Sequence, residues 1–247
     1  MKNHWKIAGI GLAMALAACG GETSANGGAT TVSADDANTS RNWVEVVSKT
    51  DEGGFRMGNP DAPIQIVEYA SLTCSHCATF AEESFEPLTE NYVSQGLASF
   101  EVRNFVRDPL DLSAALLSRC NGAEPFFTLN ERLFANQVPM FEAIQGADQA
   151  QLQALSTPEA VQSGAAFVGF AEAAGLIDFV GGLGISPDQA RQCLSDSAAL
   201  EELEQMRAQA MSQYNLAGTP TFLINGEVVQ GVSNWAGLQA RLEEMVE

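Results

Sequence analysis

The chain is short of positive charge. Its 247 residues carry 12 Lys and Arg against 31 Asp and Glu, a formal charge of −19. A surface of that sign repels phosphate backbones and anionic headgroups, which argues against nucleic-acid partners and against electrostatic attachment to a membrane. Histidine is scarcer still, with only His4 and His76. A structural zinc site takes about four Cys and His ligands in paired short motifs, and two histidines with five scattered cysteines do not supply them. Long apolar runs are missing too. The run from Ile7 to Ala18 falls short of the roughly 20 residues of an ordinary membrane-spanning helix. There is no internal repeat and no sustained heptad pattern.

That apolar run has another use. Lys2 and Lys6 precede it and Leu16-Ala17-Ala18-Cys19-Gly20 closes it, the charge, length and small-residue pattern of an export signal. Leu-Ala-Ala-Cys also resembles the lipobox of bacterial lipoproteins, which implies cleavage before Cys19 and a diacylglycerol anchor on its thiol. Residues 1–18 are therefore expected to be a lipoprotein signal peptide. Residues 19–42, rich in Gly, Ala, Ser, Thr and Asn, bury too little to fold and are expected to be a flexible tether. Export places the remainder where disulfides persist, and the leader takes His4, Lys2 and Lys6 with it.

The chemistry lies further on. The apolar stretch Ile64-Gln65-Ile66-Val67-Glu68-Tyr69 predicts a strand, and Cys74-Ser75-His76-Cys77 follows at the start of a helical pattern. A strand running through Cys-x-x-Cys into a helix is the form of a redox-active dithiol. At the helix start, unpaired backbone N–H groups and the helix dipole favour a thiolate. Such settings lower a cysteine pKa from about 8.5 to roughly 3.5–7.5. Cys77 falls on the same helical face, within reach of a disulfide with Cys74, and His76 offers a donor or a positive charge beside the sulfurs. A passive disulfide and half a metal site are the competing uses of this spacing. By alternation Glu68 shares a face with Ile64 and Ile66. A carboxyl buried there has a raised pKa and is able to accept a proton from Cys77 as a mixed disulfide resolves.

Near the other end, Gly218-Thr219-Pro220-Thr221-Phe222-Leu223-Ile224-Asn225-Gly226 reads as a loop, a strand and an Asn-Gly hairpin turn. With the dithiol it resembles the thioredoxin fold, and the helical material between makes the chain similar to the DsbA family of bacterial periplasmic thiol oxidoreductases, over about Trp43 to Glu247. The resemblance implies that Thr219-Pro220 lies against the cysteines with the proline cis, that Cys74 is the exposed sulfur and Cys77 the buried one, and that Glu68 handles the proton of Cys77. It departs in one place: Ser75 stands where the family's oxidases most often have proline. Thr219 before the proline also occurs in isomerase and reductase relatives.

Between these segments, strands are expected at Trp43–Val47, Phe55–Gly58 and Ala98–Val106, and a helix from Ser75 to about Gln95 kinked at Pro87. Helical spacing then recurs through 112–120, 125–135, 148–155, 158–174 and 187–194. The fold class is therefore α/β: a thioredoxin-like domain from 43–107 and 197–247, with an inserted helical domain at 108–196. Ser197 to Tyr214 is a further helix, Glu227–Gln230 completes the hairpin, and Asn234 caps a last helix. Cys120 and Cys193 both fall in the helical part and are expected to pair with each other, with two buried thiols as the alternative.

The resemblance implies an exported oxidoreductase acting on unfolded or reduced exported proteins in the periplasm. It would be re-oxidised by a quinone-linked membrane partner, with no cofactor or metal and with membrane contact through the lipid anchor only. A reductase or isomerase, and a non-catalytic lipoprotein with a stapling disulfide, are the alternatives.

Overall fold

In the computed structural model the described residues are 41–246. The expected signal peptide, Cys19 and the tether up to residue 40 lie outside them. Ile64 to Ala70 forms β3, with Ile64, Ile66 and Ala70 buried on one side and Val67 and Tyr69 on the other. A strand apolar on both sides belongs at the centre of a sheet covered on both faces. The others are β1 (Val47–Lys49), β2 (Phe55–Gly58), β4 (Ala98–Asn104), β5 (Thr221–Ile224) and β6 (Glu227–Val228), and the sheet order is β1-β2-β4-β3-β5-β6. β3 pairs with β4 in parallel and with β5 antiparallel. The parallel pair needs a crossover, and α1 (Ser75–Leu88) supplies it.

Eight helices form the inserted layer: α2 (Pro109–Ser118), α3 (Phe126–Ala135), α4 (Gln137–Gly146), α5 (Gln149–Leu155), α6 (Pro158–Gln162), α7 (Ala165–Ala173), α8 (Leu176–Gly181) and α9 (Pro187–Leu194). Three begin at a polar residue followed by proline. Asp108, Thr157 and Ser186 each accept a backbone N–H with Pro109, Pro158 and Pro187 at the first helical position, where a missing N–H costs nothing. Helices α10 (Ser197–Tyr214) and α11 (Trp235–Val246) complete the chain. This is a thioredoxin-like fold carrying a helical insertion.

Several expectations need correction. Trp43–Glu45 is a 3-10 turn and the strand starts only at Val47, because Trp43 turns inward and is buried. Pro87 sits inside α1, and the backbone passes into a π-helical turn at Thr89–Val93, as the ring removes one donor from the α ladder. The helix expected over 158–174 is two, separated at Gly164, whose φ is +76°. Helices α4 and α8 were not anticipated. β6 ends at Val228. At the hairpin tip Asn225 and Gly226 both have positive φ, 50° and 85°, as the tight turn requires.

The face of the sheet bearing Ile64, Ile66, Phe100, Val102 and Phe222 packs against α1, α11 and the helical layer in one continuous core. The other face, with Val67, Tyr69 and Leu223, packs on Met206 and Ala210 of α10. One buried side chain binds the insertion to this frame, and a disulfide closes the insertion on itself. Arg119, just past α2, is buried and donates to Asn104 Oδ1 at 3.1 Å, the Gly53 carbonyl at 2.7 Å and Glu202 Oε2 at 2.6 Å. Within the insertion, Cys120 and Cys193 form a disulfide across 73 residues.

Closing a loop of that length restricts the unfolded chain. Replacing Cys120 and Cys193 by serine should lower unfolding free energy by about 2–4 kcal/mol, read as a fall in urea midpoint. The acid titration of Cys74 should not move. An unchanged midpoint would mean that the bridge constrains nothing folding depends on.

Candidate active site

β3 ends at Ala70 and α1 begins at Ser75, so the position of Cys74 is set by what holds Ser71 to Thr73. Asp111, on α2, does most of this. Its carboxylate accepts from Ser71 Oγ at 2.7 Å, from Leu72 N at 2.8 Å and from Arg107 N at 2.9 Å. Arg107 in turn donates through Nε to Ser71 Oγ and through Nη2 to Thr73 Oγ1, at 2.8 and 3.0 Å. Thr73 donates to Asp108 Oδ2 at 3.0 Å. From α4, the buried amide of Gln137 donates to the carbonyls of Leu72 at 2.9 Å and Cys74 at 3.1 Å. Burial pushes the Asp111 carboxyl up to about 6, against the pull of its donors.

Held this way, Cys74 is the N-cap residue of α1, with extended backbone (φ −94°, ψ 117°). Its thiol donates to the Thr219 carbonyl at 3.3 Å. The register that sets Tyr69 opposite Thr221 carries Thr219 and Pro220 past the end of β3 to this point, and the Thr219–Pro220 bond is cis. The Thr219 hydroxyl is buried with no hydrogen-bond partner of its own, so it is free to donate to a sulfur anion.

The two sulfurs are driven apart. Cys74 is lowered to about 4 by the hydrogen bond from the Cys77 thiol, against desolvation, with further help from the Thr219 hydroxyl and the backbone N–H groups of Cys77 and His76. Cys77 is pushed far up by burial, by its bond to Cys74 and by the charge of Glu68. Glu68 is wholly inside the main core, on the face shared by Val102 and Phe222. Burial first, and the Cys74 charge second, push it up to about 8. One of its oxygens has no hydrogen-bond partner, as suits a carboxyl that is protonated at neutral pH.

Cys74, Cys77, Glu68, Thr219 and Pro220 are thus brought together. Cys74 is more enclosed than expected: it is 5% exposed, against 0% for Cys77, because the Thr219 carbonyl closes over it. The His76 side chain is exposed, and what reaches the sulfur is its backbone N–H. Cys120 and Cys193 belong to the insertion. Asp111, Arg107, Asp108 and Gln137 were missed. Of these only Asp108-Pro109 carried a local signal, as a helix start.

A sheet with this strand order, a dithiol at the end of its central strand and a cis-proline loop facing it define a dithiol protein of thioredoxin fold. The chain belongs to the thioredoxin family: a family model described as Thioredoxin matches residues 50–244. It is similar to the protein-disulfide isomerase of Novosphingobium aromaticivorans, with 32% identity, TM-score 0.73, and coverage of 78% of this chain and 96% of that one. Wolbachia pipientis alpha-DsbA1 shares the fold, with TM-score 0.57 at 22% identity over 76% of this chain and 88% of that chain. A Rickettsia bellii (strain RML369-C) protein provisionally named a protein-disulfide oxidoreductase is 26% identical over 190 residues. The match takes in 76% of this chain but only 63% of that relative's length.

Two titrations test the site. Thiolate absorbance of the reduced protein should rise through a single step near pH 4 from Cys74, with none from Cys77 below pH 9. For Glu68 the folded pKa of about 8 lies above its ordinary 4.5. The native state therefore holds that proton more tightly than the unfolded chain. Its burial carries no charge penalty below pH 4.5, and stability is lost as pH rises toward 8. Glu68→Gln removes the penalty, so its stability relative to wild type should improve by roughly 3 kcal/mol between pH 4 and pH 7. Urea unfolding of the reduced proteins at the two pH values measures this, and an equal difference at both would rule out a raised carboxyl.

Proposed function

We propose that this chain is an exported, lipid-anchored thiol–disulfide oxidoreductase of the bacterial periplasm that oxidises cysteine pairs in client proteins. The observation that carries the reading is the opposite displacement of the two thiols, Cys74 down to about 4 and Cys77 far up. A stable thiolate at Cys74 stabilises the dithiol form and so makes the disulfide an oxidant.

The steps follow from the geometry. A client thiolate attacks Cys74 Sγ in the Cys74–Cys77 disulfide, and the electron pair of that bond leaves on Cys77. The buried Cys77 sulfur takes a proton, for which the protonated Glu68 is the nearby source. A second client thiol, as thiolate, attacks the client sulfur of the mixed disulfide. Cys74 leaves as the thiolate its site favours, the client carries the new disulfide, and the enzyme carries two electrons more. Return of those electrons to a quinone-linked membrane partner, with the proton of Cys77 passing back to Glu68, completes the cycle. No cofactor enters the exchange itself. Anchoring rests on the Leu16–Cys19 motif.

An isomerase is the second reading. It is favoured by the similarity to a structure named as a protein-disulfide isomerase and by Ser75 and Thr219 at the two positions where relatives differ.

Equilibration of the full-length chain with glutathione buffers should give a potential above about −180 mV. A value below about −250 mV would overturn the oxidant in favour of a reductase, and absence of exchange would leave only a structural disulfide. Repair of a scrambled multi-disulfide protein faster than oxidation of its reduced form would favour the isomerase. Membrane fractionation tests the anchor: Cys19→Ser should move the protein to the soluble fraction, and retention in the membrane would overturn lipidation.

A further inference from the structure

Beside the dithiol, between α1 and the corner joining α3 to α4, lies a cleft of about 520 Å³. It begins at Ser75, next to the nucleophile, and its wall includes Gln137, whose amide holds the Cys74 carbonyl. The floor is apolar, with Ala78 from α1 and buried Phe134 from α3, and at the rim Val138 is 66% exposed. Two acids line it, Glu82 from α1 and Glu131 from α3. Glu131 is half-buried and has no hydrogen-bond or ion-pair partner among the described residues. Burial pushes its carboxyl up to about 7, with the neighbouring Arg132 opposing.

We propose that this cleft seats the polypeptide flanking a client cysteine, and that Glu131 selects segments carrying a lysine or arginine next to an apolar residue. The inference rests on the exchange chemistry above and names the clients that chemistry serves best. Three features argue for this occupant. Ser75, the residue after Cys74, lines one end of the cleft, so a chain lying in it is held beside the sulfur under attack. A carboxylate in an apolar wall without a partner is costly, and an incoming cation offsets that cost. Exposed Val138 above buried Phe134 leaves an apolar surface that a neighbouring client side chain covers. Together these demand a chain that is both apolar and basic, as an extended unfolded segment is able to be.

The test is the rate at which dithiol peptides reduce the Cys74–Cys77 disulfide of the full-length protein. The peptides are matched in length and carry leucine with lysine, glutamine or glutamate near the cysteine. Dithiothreitol serves as a probe without flanking chain. Wild type should prefer the lysine peptide over the glutamate peptide by about tenfold, one attraction and one repulsion at a partly exposed site. Glu131→Gln should bring the lysine-to-glutamate ratio close to one, and Glu131→Lys should reverse it. Glu159→Gln, which removes one exposed acid elsewhere, should keep the wild-type ratio, and the dithiothreitol rate should be the same in all four proteins. A ratio unchanged in Glu131→Gln overturns the assignment to Glu131. Equal rates for all peptides on wild type overturn the client assignment and leave the cleft to a membrane partner. Failure of dithiothreitol itself to reduce the disulfide would instead remove the exchange chemistry, and this inference with it.

Discussion

Everything at this dithiol depends on how Ser71, Leu72 and Thr73, between β3 and Cys74, are held. A helix N-terminus favours a thiolate only if the sulfur stands at the N-cap position and no further along. Ser71, Leu72 and Thr73 have no regular structure of their own to enforce that. Asp111 enforces it from outside, taking a hydroxyl and two backbone N–H groups at 2.7–2.9 Å. Gln137 does the complementary work on the carbonyls of Leu72 and Cys74. Buried backbone groups left without such partners are costly, so the clamp satisfies the loop and sets the first turn of α1 in the same contacts.

Once the turn is set, two chemically identical thiols acquire opposite characters. Cys74 faces the open end of the helix, where its anion collects a thiol, a hydroxyl and backbone donors. Cys77 is three residues deeper and wholly buried, above Glu68 in the core. The apolar face of β3 then acts on Glu68 as it acts on Cys77: each is kept protonated because its charge has no solvent to stabilise it. A proton therefore runs downhill from Glu68, held near 8, to a Cys77 thiolate whose charge burial disfavours further. The core of the domain thereby sets the proton chemistry as well as the stability.

Much of this was legible in the order of residues, and the remainder was hidden for a physical reason. Cys74, Cys77 and Glu68 lie within ten residues on one strand–helix unit, where period and helix position determine what faces what. Asn225-Gly226 announced its turn through the positive φ that only a few residues tolerate. Asp111 and Gln137 gave no such signal, because a hydrogen bond across 39 or 63 residues leaves no periodicity. Helix α4 was missed because Pro139 interrupts a weakly amphipathic stretch, and α8 because six residues hold too little pattern. The Trp43 turn was mistaken for a strand because the mostly apolar run Trp43–Val47 does not reveal whether its aromatic is folded inward.

The inserted helices therefore help build the dithiol site. Asp111 comes from the first of them and Gln137 from the third, and both act on the loop that the thioredoxin-like sheet supplies. The same Gln137 lines the cleft that begins at Ser75, so one side chain joins the loop that sets Cys74 to that cleft. Arg119, bonded to Asn104, Gly53 and Glu202, fixes the base of the insertion to the sheet and to α10, and the Cys120–Cys193 bridge closes the insertion on itself. An insertion that merely decorated the sheet would not need the Arg119 link. These ties keep Asp111 and Gln137 in register with Ser71 and Cys74, because a shift of an ångström would break hydrogen bonds that have no solvent to replace them.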